Sequence, residues 1–173
     1  RLAPGVSPAR LREAVAAFAA RRPAFTAPAM KVSAIGSFIA VTLAAPSPAM
    51  QTLADAAVEE IEPLRAPLSA AELARRLAGR PTPRQEALLR RWGYPYVFDE
   101  FRFHMTLTGR IEAAERRERL QSQLAALFRP ALAEAVPVRE VCLYSQAERD
   151  QPFRLSERFP FGGALTKGQA AEG

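Results

Sequence analysis

The stretch that most limits how this chain can fold is residues 101–108, F-R-F-H-M-T-L-T. Its alternation is strict. Phe101, Phe103, Met105 and Leu107 fall on one face of a β-strand, and Arg102, His104, Thr106 and Thr108 fall on the other. The first face is expected to be core. The second collects a guanidinium, the only histidine of the chain and two hydroxyls, a set suited to an oxygen-rich anion such as a phosphate. A histidine can pass a proton near neutral pH, a threonine can donate to a phosphoryl oxygen, and an arginine can clamp a second oxygen bidentately.

Composition bounds what surrounds that strand. At 173 residues the chain can bury a sizeable core without staples. Its one cysteine, Cys142, excludes an internal disulfide framework, and one His with one Cys does not make a zinc site, so no structural metal is expected. No apolar run approaches the roughly 20 residues of a membrane span. The opening R-L-A-P-G-V-S lacks the order of a signal segment, and the expected setting is soluble and cytoplasmic. A balance of 24 basic against 18 acidic residues, net +6, makes nucleic acid a candidate partner. It is the less favoured one. Nearly all the cations are arginines, only Lys31 and Lys167 being lysine, and pairs such as Arg75-Arg76 and Arg116-Arg117 sit beside glutamates in helical patterns.

In order along the chain, Ser7-Pro8 opens a helix with Leu11, Val15 and Phe18 on one stripe, ending before Pro23. Residues 25–43 turn to β texture: Met30 and Val32 alternate with Lys31 and Ser33, and Gly36-Ser37 turns the chain into a second strand, a hairpin. Ser47-Pro48 opens a second helix, stopped by Pro63. Residues 69–77 and 83–92 are two short helical patterns, each opened by a capping signal, Ser69 with Glu72 and Thr82 with Gln85; Trp92 is expected to be a packing anchor. After the central strand, residues 112–132 predict a long charged helix with Leu120, Leu124 and Leu127 on its buried side. Strand signals return at 136–144, 153–155 and 159–163. The organisation expected is an N-terminal lobe over residues 1–66, a helical connector over 67–95, a C-terminal lobe over 96–163 and a disordered tail over 164–173. Each lobe would pack helices on one face of an antiparallel sheet, so the fold class is α+β.

The tetrad His104-Met105-Thr106-Leu107 resembles the H-x-T-hydrophobic motif of the two-histidine phosphoesterases, and its setting strengthens the likeness. The run R-W-G-Y-P-Y-V-F-D-E-F-R-F-H-M-T-L-T-G-R, residues 91–110, is similar to the signature of the bacterial branch encoded beside phosphonate-degradation genes. The opening R-L-A-P-G, the strand at 36–43, T-P-R-Q at 82–85 and R-F-P at 158–160 match it as well. The resemblance implies two pseudo-symmetric lobes, each with one H-x-T motif, whose histidines share acid and base duties across a groove. It implies hydrolysis of a phosphodiester, cyclic or open, with no cofactor. His104 and Thr106 would be catalytic, and Arg102, Thr108 and Tyr144 would contact substrate.

The chain departs from that pattern in having one histidine. In the family the first motif lies just upstream of a segment like R-L-A-P-G, and Arg1 is not an initiator methionine, so the expectation is that an N-terminal piece carrying the first motif has been lost. That loss would expose backbone and apolar surface along the strand at residues 38–43, and such an edge would favour self-association. Other readings stand beside these. Arg102 could make a surface ion pair, Thr108 is a good strand former, and Tyr144 could be a rim aromatic. For the whole chain, the alternatives to a phosphoesterase of small phosphorylated or nucleotide-like diesters are a nucleic-acid-binding module and a scaffold that keeps only the fold.

Overall fold

The structure, a computed structural model, describes residues 1–148 and 150–166. Local signals in the sequence set its helix boundaries. Helix α1 (Pro8–Ala20) and helix α2 (Pro48–Ile61) each begin with a proline behind a serine, and the Ser7 and Ser47 Oγ atoms accept from the backbone N–H groups of Arg10 and Met50. Each such cap stabilises its helix by about 1 kcal/mol. Helices α3 (Ala70–Leu77) and α4 (Pro83–Trp92) carry the reciprocal boxes, Ser69 with Glu72 and Thr82 with Gln85. Gly93 ends α4 at φ +70°, a left-handed conformation that favours glycine. Within the stretch 67–95 the helices are thus α3 and α4.

The strands are β1 (Pro23–Ala27), β2 (Met30–Ile35), β3 (Phe38–Leu43), β4 (His104–Thr106), β5 (Val136–Val138), β6 (Glu140–Ser145), β7 (Arg154–Pro160) and β8 (Gly163–Thr166), with helix α5 (Ala114–Leu132) between β4 and β5. The predicted hairpin is present: β2 and β3 pair antiparallel from Met30 with Leu43 to Ile35 with Phe38 around Gly36 at φ +58°. The class is α+β. Three sheets are formed, in the orders β5-β1-β8, β2-β3-β4 and β6-β7. The first two draw strands from both halves of the sequence: β1 is flanked by β5 and β8, and β3 by β4. The sequence boundaries at 66 and 96 therefore do not coincide with sheet boundaries.

Several expectations are corrected by long-range packing. The central strand is three residues, His104–Thr106, because residues 98–100 form a 3₁₀ turn and the chain leaves the ladder after Thr106. Its apolar residues divide between two cores. Phe101 and Phe103 pack with Phe25, Ala27 and Met50, whereas Leu107 packs with Val32, Ile39 and Val41 under α5. Met105 is not core: it stands opposite Val41 on the helix-facing side but is 45% exposed, since α5 lies over β2 and β3 and β4 is the sheet's edge. Leu127 is 70% exposed. The stripe that α5 buries is Leu120, Leu124, Phe128 and Leu132, at a spacing of four, and Leu127 lies one residue off it. The strand signal at 136–144 resolves into β5 and β6, which belong to different sheets. The predicted disordered tail starts too early, because β8 reaches Thr166 by pairing parallel with β1; the remainder, 167–173, lies outside the described residues.

Candidate active site

The approach to β4 is pinned from several sides. Arg84 on α4 clamps Asp99 with its Nε and Nη2, Gln85 donates to Glu100 at 3.0 Å, and Gln51 on α2 donates to the Phe98 carbonyl at 2.9 Å. Trp92 meets Phe98 with ring centroids 5.1 Å apart, the anchor role expected of it. The Arg84 guanidinium, through its hydrogen bonds, holds the Asp99 carboxyl below the usual carboxylate range. The run W-G-Y-P-Y-V-F-D-E thus fixes where the histidine strand starts.

On β4, His104 stands opposite Thr42 and Thr106 opposite Ala40. Residues opposite one another in a ladder share a face, so His104, Thr106, Thr42, Ala40 and Phe38 lie together on the side away from α5. Ala40 is fully buried there, and its small side chain lets the Phe38 ring and the imidazole meet across it at 5.8 Å between centroids. His104 and Thr106 are both exposed.

The imidazole is oriented by its own backbone. His104 Nδ1 lies 2.8 Å from the Arg102 carbonyl oxygen. A carbonyl only accepts, so Nδ1 carries the hydrogen, and in the neutral ring Nε2 is the nitrogen that offers a lone pair. A base poised in this way is what proton abstraction from a water or hydroxyl requires. No motif reading reveals this contact, because the partner is a backbone atom.

The other predicted site residues fall in different places. The Arg102 side chain is exposed and lines a groove of about 450 Å³ together with Lys31, Ser33 and Thr42. The Thr108 hydroxyl accepts from the Ile39 backbone N–H at 3.0 Å and donates to the Gly109 carbonyl at 2.9 Å, closing the end of the strand. Tyr144, half exposed, lines a larger apolar cavity of about 880 Å³ between α1, α2 and β6, whose walls include none of His104, Thr106 and Arg102. His104 and Thr106 share one face of the sheet; the groove holding Arg102 has neither of them in its walls and adjoins them through Thr42, the residue opposite His104, while Tyr144 lies in the other cavity. Lys31, Ser33 and Thr42, which line the groove with Arg102, are not marked out by any motif in the sequence. Their alternation with Val32 and Val41 was visible, but the register that aligns them with His104 was not. Among the described residues no group of three or more His, Cys, Asp or Glu could hold a metal ion, and no helix is long and apolar enough to cross a membrane.

Fold and site define an α+β protein presenting an exposed, oriented histidine beside a threonine and a cationic groove. The chain belongs to the family described as "Protein of unknown function (DUF1045)", whose model matches residues 1–154. It is also similar to two bacterial proteins named Ribose 1,5-bisphosphate phosphokinase PhnN. That of Janthinobacterium sp. (strain Marseille) is 35% identical over 167 residues, 94% of this chain and 37% of that protein. That of Laribacter hongkongensis (strain HLHK9) is 40% identical over 72 residues, 42% of this chain and 17% of that protein. The chain spans well under half the length of these relatives. No solved structure matches it.

Proposed function

We propose that this chain carries one acid–base half of a phosphodiesterase site of the two-histidine type, acting on a small phosphorylated diester, cyclic or open, in phosphonate metabolism. The observation that carries the reading is the oriented imidazole: Nδ1 bound to the Arg102 carbonyl and Nε2 free, next to the Thr106 hydroxyl. In the reaction, Nε2 takes a proton from water as the water oxygen bonds to phosphorus. The P–O bond to the leaving alcohol breaks, and that oxygen takes a proton from a second acid. Thr106 donates to a non-bridging oxygen of the phosphoryl group, and Arg102, whose side chain lines the adjoining groove, binds the substrate there. The chain holds one histidine, so the proposal assigns the second acid to a histidine carried on another segment or chain. The phosphorylated ribose in the relatives' names supports a phosphorylated small molecule as substrate.

The kinase named in those relatives is not proposed here. The 173 residues contain no G-x-x-x-x-G-K-[ST] run with which to cradle a nucleotide triphosphate. Strand β3, residues 38–43, where the exposed edge was expected, is paired on both sides by β2 and β4, so the self-association we propose uses the open edge of β4 instead, and sedimentation would test it.

Hydrolysis of bis(4-nitrophenyl) phosphate, measured with and without added imidazole to stand in for the second acid, tests the catalytic reading. Imidazole is expected to raise turnover, and His104→Ala to lower the assisted rate by roughly 10²- to 10⁴-fold, the usual worth of a positioned acid or base. Equal rates for the two proteins at every imidazole concentration would remove His104 from the chemistry.

A further inference from the structure

Beyond the reacting centre, we infer a second anion subsite on the same sheet face, one that takes a phosphate monoester on the non-reacting end of the substrate. The inference rests on the phosphodiesterase reading for the word substrate, but its geometry stands alone. Lys31 pairs with Thr42, and Thr42 with His104, so the three residues form one row across β2, β3 and β4 on one face. Two strand spacings separate the ends of that row, roughly 10 Å between Cα atoms. This is the scale of a sugar with a phosphorylated group at each end.

The row leads from His104 into the groove of about 450 Å³, a volume suited to one small ligand group. The charged side chains lining it are Lys31 and Arg102, with no carboxylate among them. Both are exposed, and among the described residues neither forms an ion pair, whereas Arg21 and Arg22 share Glu60 and Arg84 is held by Asp99. In the same groove, Ser33 Oγ and Thr42 Oγ1 lie 3.0 Å apart. One hydroxyl donates to the other, which leaves the second hydroxyl's hydrogen free for a ligand oxygen. Two unpaired cations and a free O–H donor, with no acid nearby, match a phosphate dianion and repel nothing that it carries.

The test is titration of the chain with ribose 5-phosphate, followed by calorimetry, with ribose as the uncharged control. Lys31→Ala should weaken binding at least tenfold, Arg102→Ala comparably and Thr42→Val several-fold. Arg75→Ala, an equal loss of charge on exposed α3, should leave it unchanged. Ribose should not bind, and salt should weaken the phosphate's binding. Wild-type affinity in both Lys31→Ala and Arg102→Ala, with melting temperatures unchanged, would overturn the subsite. If His104→Ala leaves imidazole-assisted turnover intact while Lys31→Ala still releases ribose 5-phosphate, the subsite stands and the catalytic reading falls.

Discussion

The two faces of the sheet β2-β3-β4 are built from the same three strands and do opposite work. Toward α5, Val32, Ile39 and Val41 are buried and covered by Leu120, Leu124, Phe128 and Leu132. Away from α5, the same strands present Lys31, Ser33, Thr42, His104 and Thr106, with Ala40 buried between Phe38 and the imidazole. A period of two makes this division possible, because every second residue can serve packing while its neighbours serve chemistry. It also means that a change on one face should move stability and a change on the other should move binding or turnover.

The sharpest way to break that comparison is on the covered face. Ile39→Ala empties a fully buried site and is expected to cost about 2–5 kcal/mol of stability. Thermal unfolding reads it, and a melting point near wild type would show that the α5 face is not the core. A smaller effect is expected at the edge. Met105→Asp, on the same side by register but 45% exposed, should cost no more than about 1 kcal/mol. A loss as large as that of Ile39→Ala would restore Met105 to the core face.

The smallest effect concerns the turn that feeds β4. Asp99 is held below the ordinary carboxylate range by Arg84, so its folded-state pKa is lower than its unfolded one. That pair contributes stability above the unfolded pKa, and the contribution fades as pH falls through the folded value. Both side chains are well exposed, so the contribution is small. In Arg84→Gln the Asp99 carboxyl should titrate at higher pH, as followed by carbon NMR. An unmoved titration would show that another group depresses it.

How much of this was legible in the sequence follows the distance over which each feature is decided. Caps such as Ser7, Ser47, Ser69 and Thr82, and the turn at Gly36, are settled within a few residues, and the structure has them where the sequence indicates. The α+β class follows from those elements. Features decided by distant partners were not legible. The sequence alternation puts Met105 and Leu107 on one side correctly, but only the third dimension shows that α5 stops short of β4. The hydrogen bond of the Thr108 hydroxyl to the backbone of Ile39, 69 residues away in sequence, could not be read from its parity with His104. Lys31 and His104, 73 positions apart by their numbers, are joined only through the register of Thr42 with both strands. The strand that carries His104 was legible; the residues that other strands place beside it were not.

The orientation of that residue is also what a single measurement reaches most directly. The chain has one histidine, so its imidazole nitrogen signals in a nitrogen-15 NMR spectrum belong to His104 without further assignment. The structure predicts that the neutral ring carries its hydrogen on Nδ1, bound to the Arg102 carbonyl, and that Nε2 shifts when diethyl phosphate, a non-reacting diester, is added. A ring protonated at Nε2, with signals that do not respond to the diester, would contradict the claim that this face is a phosphate-ester site.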